Sequence, residues 1–450
     1  MGIGFIALIV FILLIIVWTT MLKRSIGEAM IIGFFVTALF GGTNALNMMW
    51  DGIVFGATNE VLFAALAFVF MAYVIDKTGI ITLLINILNS LLGRVPGGPA
   101  HVDTASSTIF GLISGSGSGN AATTGSVTIP WMIKSKWPPA LAATVCAGNA
   151  GLGIALPPSS SMFILLGFAP IAAIVSEGDL FFALLIGGLY QVFYRVILTF
   201  WFVKKHNIQT FKSDDIAPLK KTFIMGWKSL FIFFGILIPL TITIGPFAEL
   251  LMANPNIGEG AIDSISLLVW VPVLITSISM IIGYKKLPKS FSEWNTFLHG
   301  ATSKFSVIGV LLLFAFAASE NLKQLGLSED LTSMLATLHL PSWLVIVVVG
   351  ALIVLVAGPL SGTATLTAIG LVAFTALVSA GVHPTLAVVA ILMFASTEGS
   401  SPPSSAPIFI ASGIAQAEPG KTFSPLIFYY VIPVFLIGVF IAMGILPIPV

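Results

Sequence analysis

The residues best equipped for chemistry fall into two sets. Ser114, Gly115, Ser116, Gly117, Ser118, Gly119 and Asn120 are consecutive, Thr123 and Thr124 follow, and Leu156-Pro157-Pro158-Ser159-Ser160 stands further on. The second set is Gly358 to Thr365, then Ser401-Pro402-Pro403-Ser404-Ser405. The proline pairs recur 245 residues apart (157 to 402) and the Ser-Gly pairs 243 apart (118 to 361). This chemistry is ligation. Hydroxyl and carbonyl oxygens suit a hard cation such as sodium, and freed helix N-termini suit a carboxylate. Glycine lets backbone approach closely. A proline pair donates no backbone hydrogen bond and releases nearby carbonyls, here those of Gly153, Leu156 and Pro158. Glu398 lies three residues before Ser401. An acid at that depth is a cation ligand, a carrier of a coupling proton, or a structural acid.

Both sets interrupt strongly apolar sequence. The chain has 450 residues, 57% hydrophobic and 8% charged, where a soluble domain carries about 25% charged residues. Mean hydropathy is +1.08, and apolar runs at 4–18 and 431–446 fit a multi-pass helical protein of the lipid bilayer. The first run lacks a basic leader and ends at Lys23-Arg24, so it reads as a membrane helix and not a removable signal. Cys146 is the single cysteine and the five histidines are scattered, which leaves no metal site beyond one for a hard cation such as sodium. No basic stripe points to nucleic acid. P-loop, GxSxG and HExxH signatures are absent, so no catalytic residue is assigned and the chain is not expected to be an enzyme. Small residues alone would also serve close helix packing. A Ser/Thr-rich break at membrane depth, twice over, asks for more.

Hydropathy places crossings at about 3–20, 27–42, 60–75, 139–175 and 180–203, with a connector at 79–93 and a re-entrant hairpin at about 104–133. The second half gives crossings at about 222–244, 264–283, 304–320, 384–415 and 424–446, a connector at 328–338 and a hairpin at about 343–380. The crossings at 139–175 and 384–415 are broken helices. Of the 19 Lys and Arg, this drawing puts only Lys323 on the opposite face, with Arg195 inside a helix near its basic end. The basic face is cytoplasmic. His101 and Asp103 read as caps at the first hairpin's entrance, and Trp137 and Tyr430 as interface anchors. Each half has five crossings and one hairpin. Five is odd, so the halves are inverted, with hairpins entering from opposite faces. The fold expected is all-α and polytopic, with repeats at 1–203 and 222–450 joined by a cytoplasmic linker at 204–221.

The stretch 114–132, with Leu141 to Thr144 and 151–159, resembles the large membrane subunit of TRAP (tripartite ATP-independent periplasmic) transporters, over essentially the whole chain. The resemblance implies a secondary transporter of the bacterial inner membrane. It imports a small organic acid by an elevator movement, in symport with sodium or, as alternative coupling ion, the proton. No other cofactor is implied. Cation ligands would be Ser114, Gly115, Ser116 and Ser118 with Gly153, Leu156 and Pro158, and symmetrically Gly358, Ser361, Gly362 and Thr363 with Ser401, Pro402 and Ser404. Substrate would touch Asn120, Thr124, Ser160, Thr365 and Ser405. Partners would be a small four-helix membrane subunit and a periplasmic substrate-binding protein. Glu398 stands where the family usually has a small residue. The alternative is a stand-alone carboxylate symporter or antiporter of the same superfamily, without a binding protein.

Overall fold

In the computed structural model the described residues are 2–450 except 115–116, 210–215, 244, 255–256, 328, 331–332, 334–339, 359 and 404. Among them every regular element is helical and no strand occurs. The first half runs α1 (Ile3–Ile16), α2 (Ile26–Leu39), α3 (Ala45–Thr58), α4 (Glu60–Thr78), α5 (Ile80–Leu92), α6 (Gly98–Ser114), α7 (Gly117–Lys134), α8 (Pro139–Asn149), α9 (Ser160–Leu166), α10 (Ala169–Ala172) and α11 (Glu177–His206). The second half runs α12 (Leu219–Gly226), α13 (Phe234–Thr243), α14 (Pro246–Met252), α15 (Gly258–Asp263), α16 (Leu267–Ile282), α17 (Phe291–Gln324), α18 (Ser342–Ala357), α19 (Gly362–Ser379), α20 (Pro384–Ala395), α21 (Ala406–Ala415), α22 (Gly420–Leu426) and α23 (Ile432–Ala442).

Five helices among the described residues are long and apolar enough to cross a membrane, or six when α8 and α9, bent by 42° at their break, count as one. Most of the other expected crossings are shorter apolar helices. Local sequence sets many of the boundaries. Pro139 and Pro384 open α8 and α20 at the position where a missing N–H costs nothing. Ser159 caps α9, its Oγ accepting from Met162 N–H. Gly79, at φ +70°, ends α4 and starts α5.

Several expectations change. Residues 45–58, left outside any element, form α3. Gly52 and Gly56 let it lie against α17, where a Cβ on Gly56 would stand 2.6 Å from the Leu313 carbonyl oxygen. The stretch 245–263 between two expected crossings contains α14 and α15. Most of the connector at 328–338 lies outside the described residues. Asp103 is no cap, because α6 starts five residues earlier. Trp137 and Tyr430 are each 2% exposed and belong to a core, not an interface. Arg195 is equally buried, its guanidinium 4.3 Å from the Tyr430 ring centre.

The two hairpins, α6–α7 and α18–α19, are packed in an exchanged fashion. The first lies against α8 and α21; the second lies against α20 and α9. Each therefore touches the leading arm of its own half's broken helix and the trailing arm of the other's. The breaks meet through glycine. A Cβ on Gly151 would fall 1.9 Å from the Ser396 carbonyl oxygen, and one on Gly399 2.8 Å from that of Ala147. Gly151→Ala is expected to lower stability by about 3 kcal/mol through forced displacement of backbone. Gly413→Ala, in α21 with open space around its Cβ position, is expected to be neutral or to gain about 0.5 kcal/mol. Thermal unfolding in detergent or nanodiscs checks the pair, and equal melting temperatures would contradict this crossing of the breaks.

Candidate functional site

The two hairpin tips converge on one side chain. Gly117 is the first residue of α7 and Gly362 the first of α19, and the N–H groups of a first helical turn have no partner within the helix. Glu398 sits in the short 3-10 turn Ser396–Ser400 between α20 and the second proline pair. One of its carboxylate oxygens accepts from Gly117 N–H at 3.0 Å and the other from Gly362 N–H. Glu398 is 7% exposed. A Cβ at 117 would lie 2.2 Å from that carboxylate and one at 362 2.9 Å from it, so a side chain at either position would push the carboxylate off its donors. An acid across two helix N-termini is favoured by charge–dipole attraction as well as by the two bonds.

The first break is built differently. At the repeat spacing, Glu398 corresponds to Gly153, which is packed against hairpin backbone: its Cβ would stand 2.0 Å from the Gly111 Cα. Asn120, fully buried, donates from Nδ2 to the Ala150 carbonyl at 2.9 Å and the Ser107 carbonyl at 3.2 Å. Thr124 Oγ1 donates to the Asn120 carbonyl at 2.7 Å. Buried Asp103 accepts from Thr128 Oγ1 at 2.6 Å and Asn149 Nδ2 at 2.9 Å, tying α6 to α7 and α8. These bonds make the first hairpin and its broken helix one polar-laced unit.

A cavity of about 200 Å³ opens beside the Glu398 carboxylate. Its polar side is Ser118, Ser160, Ser361, Thr363 and Glu398; Phe68 of α4 and Ile308 and Leu311 of α17 contribute to an apolar opposite side. Among the described residues no Lys, Arg or His lines it. A smaller cavity of about 100 Å³ shares Ser118, Ser361 and Glu398 and adds Gly358 and Ser405. Hydroxyls, one carboxylate and an apolar wall can hold a small solute bearing polar and apolar parts, together with a cation.

The expected site residues divide. Of the substrate set, Ser160 lines the larger cavity and Ser405 the smaller, whereas Asn120, Thr124 and Thr365 are buried and line neither. Of the cation set, Ser118, Ser361 and Thr363 line the larger cavity, and Gly358 lines the smaller. Gly362 holds Glu398, Ser401 Oγ donates to the Thr397 carbonyl, and Pro402 precedes Pro403 through a cis bond, as Pro157 does Pro158. Gly153, Leu156 and Pro158 are buried in the first break. Gly115, Ser116 and Ser404 lie outside the described residues, as does the side chain of Ser114. Two features escaped the sequence reading: Gly117 as a carboxylate donor, and the scaffold wall of Phe68, Ile308 and Leu311. Only the spacing of Gly117 and Gly362 from the repeat could have hinted at the first.

The chain matches the model of the family described as tripartite ATP-independent periplasmic transporter, DctM component, over residues 5–445. It is 33% identical over 184 residues to the uncharacterized protein y4mL of Sinorhizobium fredii, covering 41% of this chain and 42% of that one. It is 27% identical over 180 residues to the ectoine TRAP transporter large permease TeaC of Halomonas elongata, covering 38% and 41%. With the sialic acid TRAP transporter large permease SiaM of Vibrio cholerae it shares 24% over 215 residues, covering 47% and 49%. The aligned part is thus less than half the length of each of these relatives. Among solved structures, the YdaH transporter of Alcanivorax borkumensis superposes with a TM-score of 0.66 at 17% identity, covering 89% of each chain. MtrF of Neisseria gonorrhoeae superposes at 0.67 with 13% identity, covering 90% and 86%. These last two likenesses concern the fold.

Asn120→Ala removes the amide that ties the first hairpin to the break and leaves two buried carbonyls short of a donor. Stability is expected to fall by about 1–3 kcal/mol. Chemical unfolding of the purified membrane protein checks it, and an unchanged midpoint would mean that the amide is not a tie.

Proposed function

The chain belongs to the DctM family of tripartite ATP-independent periplasmic transporters, a family of multi-pass transporter permeases, and on that premise we propose that it is the large membrane subunit of a secondary importer of small organic acids. Coupling is to a sodium or proton gradient across the bacterial inner membrane. The observation that carries the reading is the polar cavity between two hairpin tips, enclosed by apolar helices. Buried break residues with freed backbone groups are tolerated at membrane depth where they line such a cavity.

The halves form two inverted repeats, 1–203 and 222–450, joined by the linker at 204–221. The exchanged packing of the hairpins against the broken helices supports this, as does the recurrence of α6–α7–α8 in α18–α19–α20 at nearly constant spacing. The hairpins and broken helices move as one transport body against α2, α3, α4, α16 and α17. The apolar face that α4 and α17 turn toward the tips suits sliding, because it offers no directional bonds that a movement must break. Sodium is held by hydroxyls and carbonyls of the tips, with Ser118, Ser361 and Thr363 at the cavity. A small membrane subunit and a periplasmic binding protein complete the system, the binding protein delivering the acid.

Proteoliposomes test this reading. With binding protein and small subunit present, labelled acid is expected to accumulate about tenfold for each tenfold gradient of a singly coupled ion. Accumulation by the chain alone would favour a stand-alone carboxylate symporter. Equilibrating flux indifferent to both gradients would sink coupled transport.

A further inference from the structure

The position best suited to a transported carboxylate is already taken by a carboxylate of this chain. Helices α7 and α19 each have 18 residues, and their first N–H groups both point at Glu398. Two N-termini of about half a positive charge each offset one carboxylate. With Glu398 ionised, the place between the tips has no surplus field to draw in an acid, and a second carboxylate there meets like charge. Among the described residues that line the cavities no other charge relieves this. The neighbours that face Glu398 are Gly117 and Ser118 of α7, Gly362 and Thr363 of α19, Gly358 after α18, and Ser405 with Pro407 at α21. The rest of the cavity lining includes Ser160 of α9 and the apolar residues of α4 and α17. None of these is titratable or charged. Asp103, the buried acid of α6, is committed to Thr128 and Asn149.

A second observation shows where the side chain can go. The smaller cavity also borders the Glu398 side chain. It is lined by Ser405, which is 2% exposed and whose Oγ has no hydrogen-bond partner among the described residues. A neutral carboxyl carries an O–H donor, which an ionised one lacks. Ser405 Oγ offers that donor an acceptor.

We propose that Glu398 is a built-in occupant of the anion position, displaced by the transported acid only when Glu398 takes up a proton. This rests on the organic-acid importer reading above. The proton comes from the water on the side to which the cavity is open, and bonds to one Glu398 oxygen. That oxygen gives up its helix N–H, the neutral carboxyl turns toward Ser405, and the solute carboxylate accepts the vacated N–H. On release the order reverses. One proton therefore accompanies one carboxylate, and Glu398 sets both the coupling and the preference for acids. The first break, with Gly153 at the equivalent place, has no such occupant, so the exchange belongs to the second half's break alone.

Succinate and acetate, as simple carboxylate probes, are titrated into the purified full chain in nanodiscs, with binding read from thermal stabilisation. In the wild type, apparent affinity is expected to rise by about tenfold per unit fall in pH while Glu398 is charged in the free protein. Glu398→Gln carries no charge at the tips, and its affinity is expected to change by less than about twofold over the same range. In weakly buffered wild-type samples, adding succinate is expected to draw about one proton per chain from solution. This last measurement needs no variant, so it decides the matter even where Glu398→Gln does not fold. Wild-type affinity independent of pH, or binding without proton uptake, would overturn the exchange and leave the acid-importer reading standing. Binding of neither carboxylate at any pH would overturn both.

Discussion

Two helix N-termini pointing at one another across a membrane interior is an unstable arrangement without an anion between them. Each brings unpaired N–H groups and partial positive charge to a place from which water is largely excluded, and each unpaired group there costs free energy. In this chain the carboxyl group of Glu398 lies between them, and it accepts from both. The tips' approach, the glycines at 117 and 362, and the two cavities that border the carboxyl depend on that one side chain. Without it the tips would part, or a solute or bound ion would have to take its place.

Around this centre the two halves solve the same backbone problem by different means. The first hairpin is tied to its broken helix by side chains: Asn120 to the Ala150 carbonyl, Asp103 to Thr128 and Asn149. The second carries Thr365 where the first has Asn120, and its break carries Glu398 where the first has Gly153. One break is thus closed by backbone contact against Gly111, and the other is held by an ionisable bridge. A pair of sites built this way is chemically unequal even though its elements recur. The cavity inherits the inequality, with hydroxyls and a carboxylate on the tip side and an apolar wall from α4 and α17 opposite.

The elements themselves were largely legible in the sequence. Hairpin arms fall close to their expected ranges because Ser-Gly pairs and proline pairs interrupt helices for local steric and hydrogen-bonding reasons. Those reasons hold whatever the surroundings. α3 was missed because it is glycine-punctuated and only moderately apolar, and its burial is supplied by α17, far away in the chain. Trp137 and Tyr430 were misplaced at an interface for a similar reason. An amphipathic ring looks alike in sequence at a headgroup and in a core, and here the core of α8, α11 and α21 takes both. Asn120 shows the limit most sharply. An amide in a polar tip suits a solute, yet its donors are spent on carbonyls of Ser107 and Ala150.

What the sequence determined by itself is the membrane setting, the doubled hairpin-and-break pattern, and the presence of a single acid in the second break. All three rest on composition, spacing and local backbone chemistry, which act within a few residues. What only the tertiary structure decided is the use of those parts. Gly117 and Gly362 are 245 residues apart, and Glu398 is 281 residues from Gly117. Their meeting follows from the exchanged packing of hairpins and broken helices, and no local signal encodes a contact of that range. Because the carboxylate fills the place where the tips' N–H groups converge, the electrostatics of the site are a property of the fold and not of any one motif.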